Sequence, residues 1–120
     1  MKATELMIGD WVVSGHYVTT VKSLGDKIAL NGCIGKVEEV WAVNITPAIL
    51  EKNGFKHGIG HVYYKFFEED IYPHKFCIEY NALNWCLFIN EGLVPQPIQY
   101  VHQIQHALRL CGIKDEIVLQ

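Results

Sequence analysis

The chain has 120 residues, of which 50% are hydrophobic, 12% aromatic and 19% charged. This length suits a single domain over residues 1–120, and the apolar share excludes intrinsic disorder. Ten Lys and Arg against thirteen Asp and Glu leave a net charge of -3, so no basic excess supports a sequence-independent grip on phosphates, and nucleic acid is not an expected partner.

No window reaches the roughly 18 consecutive apolar residues that span a bilayer, and Met1–Asp10 lacks the apolar run of a secretory signal. The expected location is the cytoplasm, with no membrane contact. Cys33, Cys77, Cys86 and Cys111 form no C-x-x-C pair, which fits neither a zinc ribbon nor a dense disulfide framework; they read as free thiols.

In chain order, residues 1–45 read as short strands. Trp11–Ser14 and Tyr17–Leu24 are rich in Val, Thr and aromatics and flank the turn dipeptide Gly15-His16. A second turn at Gly25-Asp26 pairs Leu24 with Lys27 and sets Val21 opposite Leu30 and Ser23 opposite Ile28. A two-residue first turn places Trp11, Val13, Val18 and Thr20 on the face away from Val21, so a bulge or a third loop residue is needed to reconcile the two hairpins. Strands that use both faces in part predict a small curled antiparallel sheet of SH3-like type. After the turn signal Asn31-Gly32, Val37, Val40, Trp41 and Val43 mark a further strand over Lys36–Asn44.

Residues 46–120 begin with a punctuated helix. Thr46 is suited to cap it, Pro47 to open it, and Gly54 to end it with a left-handed residue, which gives about two turns over Pro47–Asn53. A three-stranded meander follows, from His61–Phe67, Phe76–Tyr80 and Trp85–Asn90. With Tyr80 opposite Trp85, the pairs Ile78 with Leu87 and Phe76 with Ile89 fall on one apolar face. A helix over residues 98–111, with Val101, Ile104, Ala107, Leu108 and Cys111 at helical spacing before Gly112, is the expected cover. The fold class is therefore α+β.

Residues that could carry chemistry are few. His102 and His106 lie four apart on one helix face, the spacing of two zinc ligands. The intervening Gln103-Ile104-Gln105 lacks the glutamate of a zincin, and the face shared with Gln99, Gln103 and Arg109 reads as solvated. Gly58-Ile59-Gly60, between His57 and His61, lacks the third glycine and the strand-to-helix setting of a dinucleotide motif. Glu68-Glu69-Asp70 with His74 has metal-ligand types but no ligand spacing. Cys33, Ser14 and Ser23 form no recognisable nucleophile triad, and Cys77 and Cys86 sit diagonally across their hairpin, at the long edge of disulfide reach. No catalytic residue, cofactor fingerprint or small-molecule site is defined.

Aromatic residues are in surplus. Tyr63, Lys65 and Phe67 on one strand face, with Phe88 on a neighbouring strand, form a candidate partner surface; the alternative is a sheet covered on both faces. A chain this small buries about two thirds of its unfolded surface, so large apolar side chains are expected outside the core, and a homodimer through this aromatic face would cover them.

Three strings carry a resemblance: Glu5-Leu6-Met7-Ile8-Gly9-Asp10-Trp11-Val12, the run from Ile45-Thr46-Pro47 to Asn53-Gly54-Phe55, and Tyr100-Val101-His102-Gln103-Ile104-Gln105. Their order and spacing resemble a family of small uncharacterised proteins of Bacteroidetes genomes, frequent among prophage and other mobile-element genes. The resemblance covers nearly the whole chain and is most specific in the Y-V-H-Q-[IL]-Q string. It implies one cytosolic domain but brings no activity, cofactor or site residue. The function expected is a non-enzymatic protein-interaction or accessory module. The alternatives are a small metal-dependent or hydrolytic enzyme using His102 and His106, and a nucleic-acid-binding small barrel if Lys22, Lys27 and Lys36 cluster.

Overall fold

The computed structural model describes residues 6–14, 17–23, 28–30, 33–35, 40–67, 74–81 and 84–119. Valine-rich segments in the first third form strands β1 (Trp11–Ser14), β2 (Tyr17–Ser23), β3 (Ile28–Leu30), β4 (Cys33–Gly35) and β5 (Val40–Ala42). A three-stranded antiparallel core, β2-β1-β5, continues past an irregularity in β2 into β3 and β4, giving the order β4-β3-β2-β1-β5. Trp11 pairs with Thr20 and Ser14 with Tyr17, as a two-residue turn requires. The expected conflict between hairpins is resolved by a register shift between Val21 and Ser23: Val21 faces Leu30, while Ser23 faces Ala29 instead of Ile28. The turn at Gly25-Asp26 and residues 36–39 of the expected fifth strand lie outside the described residues.

Both faces of this sheet are used. Val12, Val21 and Val40 pack with Leu6 in a small cluster, while Trp11 and Val43 turn to the main core. The SH3-like expectation is corrected here. The strand order ends at β4 and β5 with no pairing between them, so no closed or curled barrel is found among the described residues.

Helix α1 (Pro47–Lys52) follows, with the Ile49 amide donating to Thr46 Oγ1 at 3.2 Å and Gly54 at φ 86° beyond its end. The second sheet has the order β10-β9-β8-β7-β6, all antiparallel: β6 (Lys56–His57), β7 (Val62–Phe67), β8 (His74–Asn81), β9 (Asn84–Ile89) and β10 (Gly92–Leu93). The expected pairs Tyr80 with Trp85, Ile78 with Leu87 and Phe76 with Ile89 are present. The meander gains β6 and β10 at its edges. Two-residue strands carry no periodicity for a sequence reading to detect, and β10 is reached through Asn90 and Glu91, both at positive φ in a tight turn closed by the pairing of Gly92 with Ile89.

Helix α2 (Val101–Leu110) covers the sheet as expected, its Val101, Ile104 and Leu108 buried in one core with Phe67, Phe76, Ile78 and Leu87. Its start is capped by Gln103, whose Oε1 accepts from the Gln99 and Tyr100 amides at 2.7 and 2.9 Å. The strand-like residues before it stitch the two sheets together. The Ile98 amide donates to the Trp85 carbonyl, and the Val101 amide to the Val43 carbonyl. Among the described residues no helix is long and apolar enough to cross a membrane.

Leu108→Ala should cost about 2 to 5 kcal/mol, because a buried leucine leaves a cavity under the sheet. Leu110→Ala, on the exposed side of the same helix, should stay within about 0.5 kcal/mol. Urea unfolding of both variants checks the orientation of α2.

Candidate functional site

Polar residues of α2 come together around the loop that enters β1. Gly9 and Asp10 pair with Val21 through backbone hydrogen bonds, which turns the fully buried Asp10 carboxylate toward α2. Its Oδ2 accepts from the Met7 amide at 2.8 Å and lies 2.6 Å from His106 Nε2; its Oδ1 accepts from Arg109 Nη1 at 2.7 Å. Gln105 completes the contact, with Oε1 accepting from the Trp11 amide and Nε2 donating to the Gly9 carbonyl, both at 3.0 Å. Gly9 has φ 91°, a conformation that favours glycine, and a Cβ there would stand 3.1 Å from Arg109 Nη2, so a side chain would also push on the guanidinium. A buried carboxylate with a guanidinium, an imidazole and a backbone amide on its oxygens has its charge compensated in place.

The solvated reading of this helix face is therefore corrected: His102 and Gln105 are buried and His106 is partly covered, Gln105 and His106 by the hydrogen bonds they make to the 6–11 loop. The His102 ring stacks on Tyr100 at 5.6 Å and meets His106 at a 59° tilt and 5.4 Å. Among the described residues no group of three His, Cys, Asp or Glu side chains is placed to hold a metal ion.

The candidate partner surface also changes. Tyr63 and Phe67 are 5% and 2% exposed and belong to the main core, and Lys65, on the same face, donates to the Asn53 carbonyl beyond α1 at 2.7 Å. The strand pairing explains this: Tyr63 faces Ile78 and Lys65 faces Phe76, both core residues. Phe88 pairs with Cys77 and so lies on the opposite face, with Tyr64 and Phe66. The sequence showed the alternation but not which phase of it the helix would cover.

That outward face carries none of the buried core residues. Phe66 and Leu93 are 59% and 57% exposed, Val62, Tyr64, Cys77, Cys86 and Phe88 are half-buried beside them, and Lys75 Nζ lies 5.7 Å over the Phe66 ring and 5.9 Å over Tyr64. A solvated antiparallel face normally alternates to polar residues. This one is aromatic with a cation on it.

The remaining sequence candidates do not converge. His57 Nε2 lies 2.6 Å from the Gly60 carbonyl and its ring stacks on Tyr63, so Gly58-Ile59-Gly60 is a closed hairpin loop between β6 and β7. His74 begins β8, while Glu68-Glu69-Asp70, Lys27 and Lys36 lie outside the described residues. Lys22 is exposed on β2, and Cys33 lies in β4. Cys77 pairs with Phe88 and Cys86 with Glu79, the diagonal arrangement expected, and Cys77, Cys86 and Cys111 are free. A separate cleft of about 290 Å³ is walled by Ile45, Pro47, Tyr63, Tyr80 and Trp85 with Thr46 and His61 at its edge. The chain matches no family model, and neither a curated protein nor a solved structure matches it.

Removal of the Asp10 carboxylate leaves its three donors without their shared acceptor. Asp10→Ala should cost about 2 to 4 kcal/mol, below the full penalty for a broken buried pair because Arg109 and His106 reach solvent in part. His106→Ala should cost less, since Arg109 still neutralises the carboxylate; chemical denaturation of the two variants ranks them. Burial pushes the Cys77 thiol up from its ordinary pKa, with Lys75 opposing and Glu79 adding, and burial alone raises Cys111. A raised pKa means less thiolate at a given pH, so alkylation of both should rise with pH through a midpoint above that of a free thiol.

Proposed function

We propose that this chain is a non-enzymatic protein-interaction module whose contact is the outward face of the second sheet. The observation that carries the reading is the aromatic, solvent-facing surface of β7, β8, β9 and β10, where Phe66 and Leu93 stand out beside Tyr64 and Phe88. Covering Phe66, 59% exposed, would contribute about 1 to 2 kcal/mol, a term available only to a partner that excludes water from the ring. The hydrolytic or metal-dependent alternative has less support, because His106 Nε2 is committed to Asp10 and His102 is packed against Tyr100. A nucleic-acid-binding small barrel has less support still, because the first sheet forms no closed or curled barrel among the described residues and the net charge is -3. Together with the resemblance of its three strings to small mobile-element proteins, this favours a cytoplasmic accessory protein that acts by docking.

A photoactivatable benzophenone side chain placed at Phe66 or Leu93 in the producing cell should form protein crosslinks, whereas the same group at Ile59 or Leu110, even more open to solvent on other surfaces, should not. Equal crosslinking at all four positions overturns the reading. Phe66→Glu should leave stability within about 0.5 kcal/mol, while Phe67→Glu, one residue on, should unfold the chain by placing a charge in the core. Thermal melts of the pair check which phase of β7 faces out.

A further inference from the structure

The outward face has a pattern beyond its aromatic content. One register row crosses all five strands of the second sheet, from Lys56 through Tyr64, Cys77 and Phe88 to Leu93. The row on one side of it holds Phe66 and Lys75, with Asn90 bonded to the Lys75 backbone. The row on the other side holds Val62, Glu79 and Cys86. Lys75 and Glu79 thus stand two residues before and two after Cys77 on the same strand and face, about 13 Å apart along it. Among the described residues neither forms an ion pair. Both act electrostatically on the Cys77 thiol between them, in opposite directions.

The geometry points to a second copy of this chain as the occupant: two outward faces stack about a two-fold axis lying along the Cys77 row, so that Lys75 of each copy meets Glu79 of the other. This proposal rests on the reading of the face as a protein contact. Such an axis reverses strand direction and keeps each strand over its own copy, so it exchanges the two flanking rows. Lys75 then finds the opposite charge, and the large Phe66 falls over the small Val62. The central row meets itself, placing Tyr64, Phe88 and Leu93 on the axis as apolar self-contacts, while Lys56 at the β6 edge, exposed to solvent, meets its own copy at the rim. This arrangement accounts for two charges of opposite sign, neither in an ion pair among the described residues, standing symmetrically about the central row.

Edge pairing is the other way for an open sheet to dimerise, but β6 and β10 offer only two residues each. The face spans about 20 by 20 Å at its widest, from strand spacings of about 4.8 Å and rises of about 3.3 Å, so two copies bury about 800 Å² in total, the size of a weak, transient contact rather than an obligate dimer. The association expected is therefore weak and reversible.

Charge exchange in the full chain, read by sedimentation equilibrium at about 10 to 200 μM, tests the assignment. The unaltered chain should dimerise reversibly. Lys75→Glu sets Glu against Glu and Glu79→Lys sets Lys against Lys, so each single variant should associate at least about tenfold more weakly. An equimolar mixture of the two should recover the dimer, because a copy with two glutamates then faces a copy with two lysines, and the double exchange in one chain should recover it as well. Circular dichroism checks that these substitutions, at half-buried positions of the outward face, leave the fold intact. With Cys33, Cys86 and Cys111 replaced by serine, a short bismaleimide should join Cys77 to Cys77, since stacked sheets lie about 10 Å apart. A monomer throughout the concentration range overturns the second-copy occupant; benzophenone crosslinks to a different protein would then preserve the face as a contact. A dimer that ignores the charge exchange, or is not recovered by mixing, overturns the two-fold arrangement.

Discussion

A single buried carboxylate decides how the first sheet meets the second. Asp10 lies at the entry to β1, and Arg109, His106 and the Met7 amide converge on it, so the loop before the first strand is locked to the last turns of α2. An unpaired charge in that position would cost several kcal/mol, which makes the helix and the loop mutually dependent. Gln105 extends the lock to the Gly9 and Trp11 backbone, and the Trp11 indole donates to the Ile117 carbonyl at 2.7 Å, binding the segment after α2 to the same corner.

α2 is consequently buried on two sides for two different reasons. Val101, Ile104 and Leu108 are driven into the second sheet by the hydrophobic effect, while Gln105, His106 and Arg109 are covered because the 6–11 loop supplies them with partners. The helix cannot serve as an outward recognition surface along either stripe. His106 is part of the attachment of this helix, through Asp10.

With one face of the second sheet taken by α2 and the core, the other face is left to solvent. It is this division that turns Tyr64, Phe66, Phe88 and Leu93 outward and gives the described residues an aromatic display on a rigid support. A sheet held in register by β7, β8 and β9 presents such side chains with little conformational entropy to lose on docking. The charges on the same strands, Lys75 and Glu79, are fixed by the same register.

Local physics made much of the fold legible in the sequence. Thr46, Pro47 and Gly54 delimit α1 through capping, a missing amide and a left-handed residue, and the β8–β9 register follows from aligning apolar residues on one face. The bulge in β2 was required by two hairpins of incompatible phase. What sequence could not contain was which of two equally aromatic phases of β7 would be covered: Tyr63 and Phe67 or Tyr64 and Phe66 satisfy the alternation alike, and only the position of α2 chooses between them. Nor could it pair Asp10 with residues 96 and 99 positions away, since a helix face of His, Gln and Arg reads as solvated until a distant carboxylate is folded onto it. The sequence by itself determined the elements, because caps, turns and periodicity act within a few residues; only tertiary structure decided the outward face and the buried polar corner, because both depend on contacts made across the whole length of the chain.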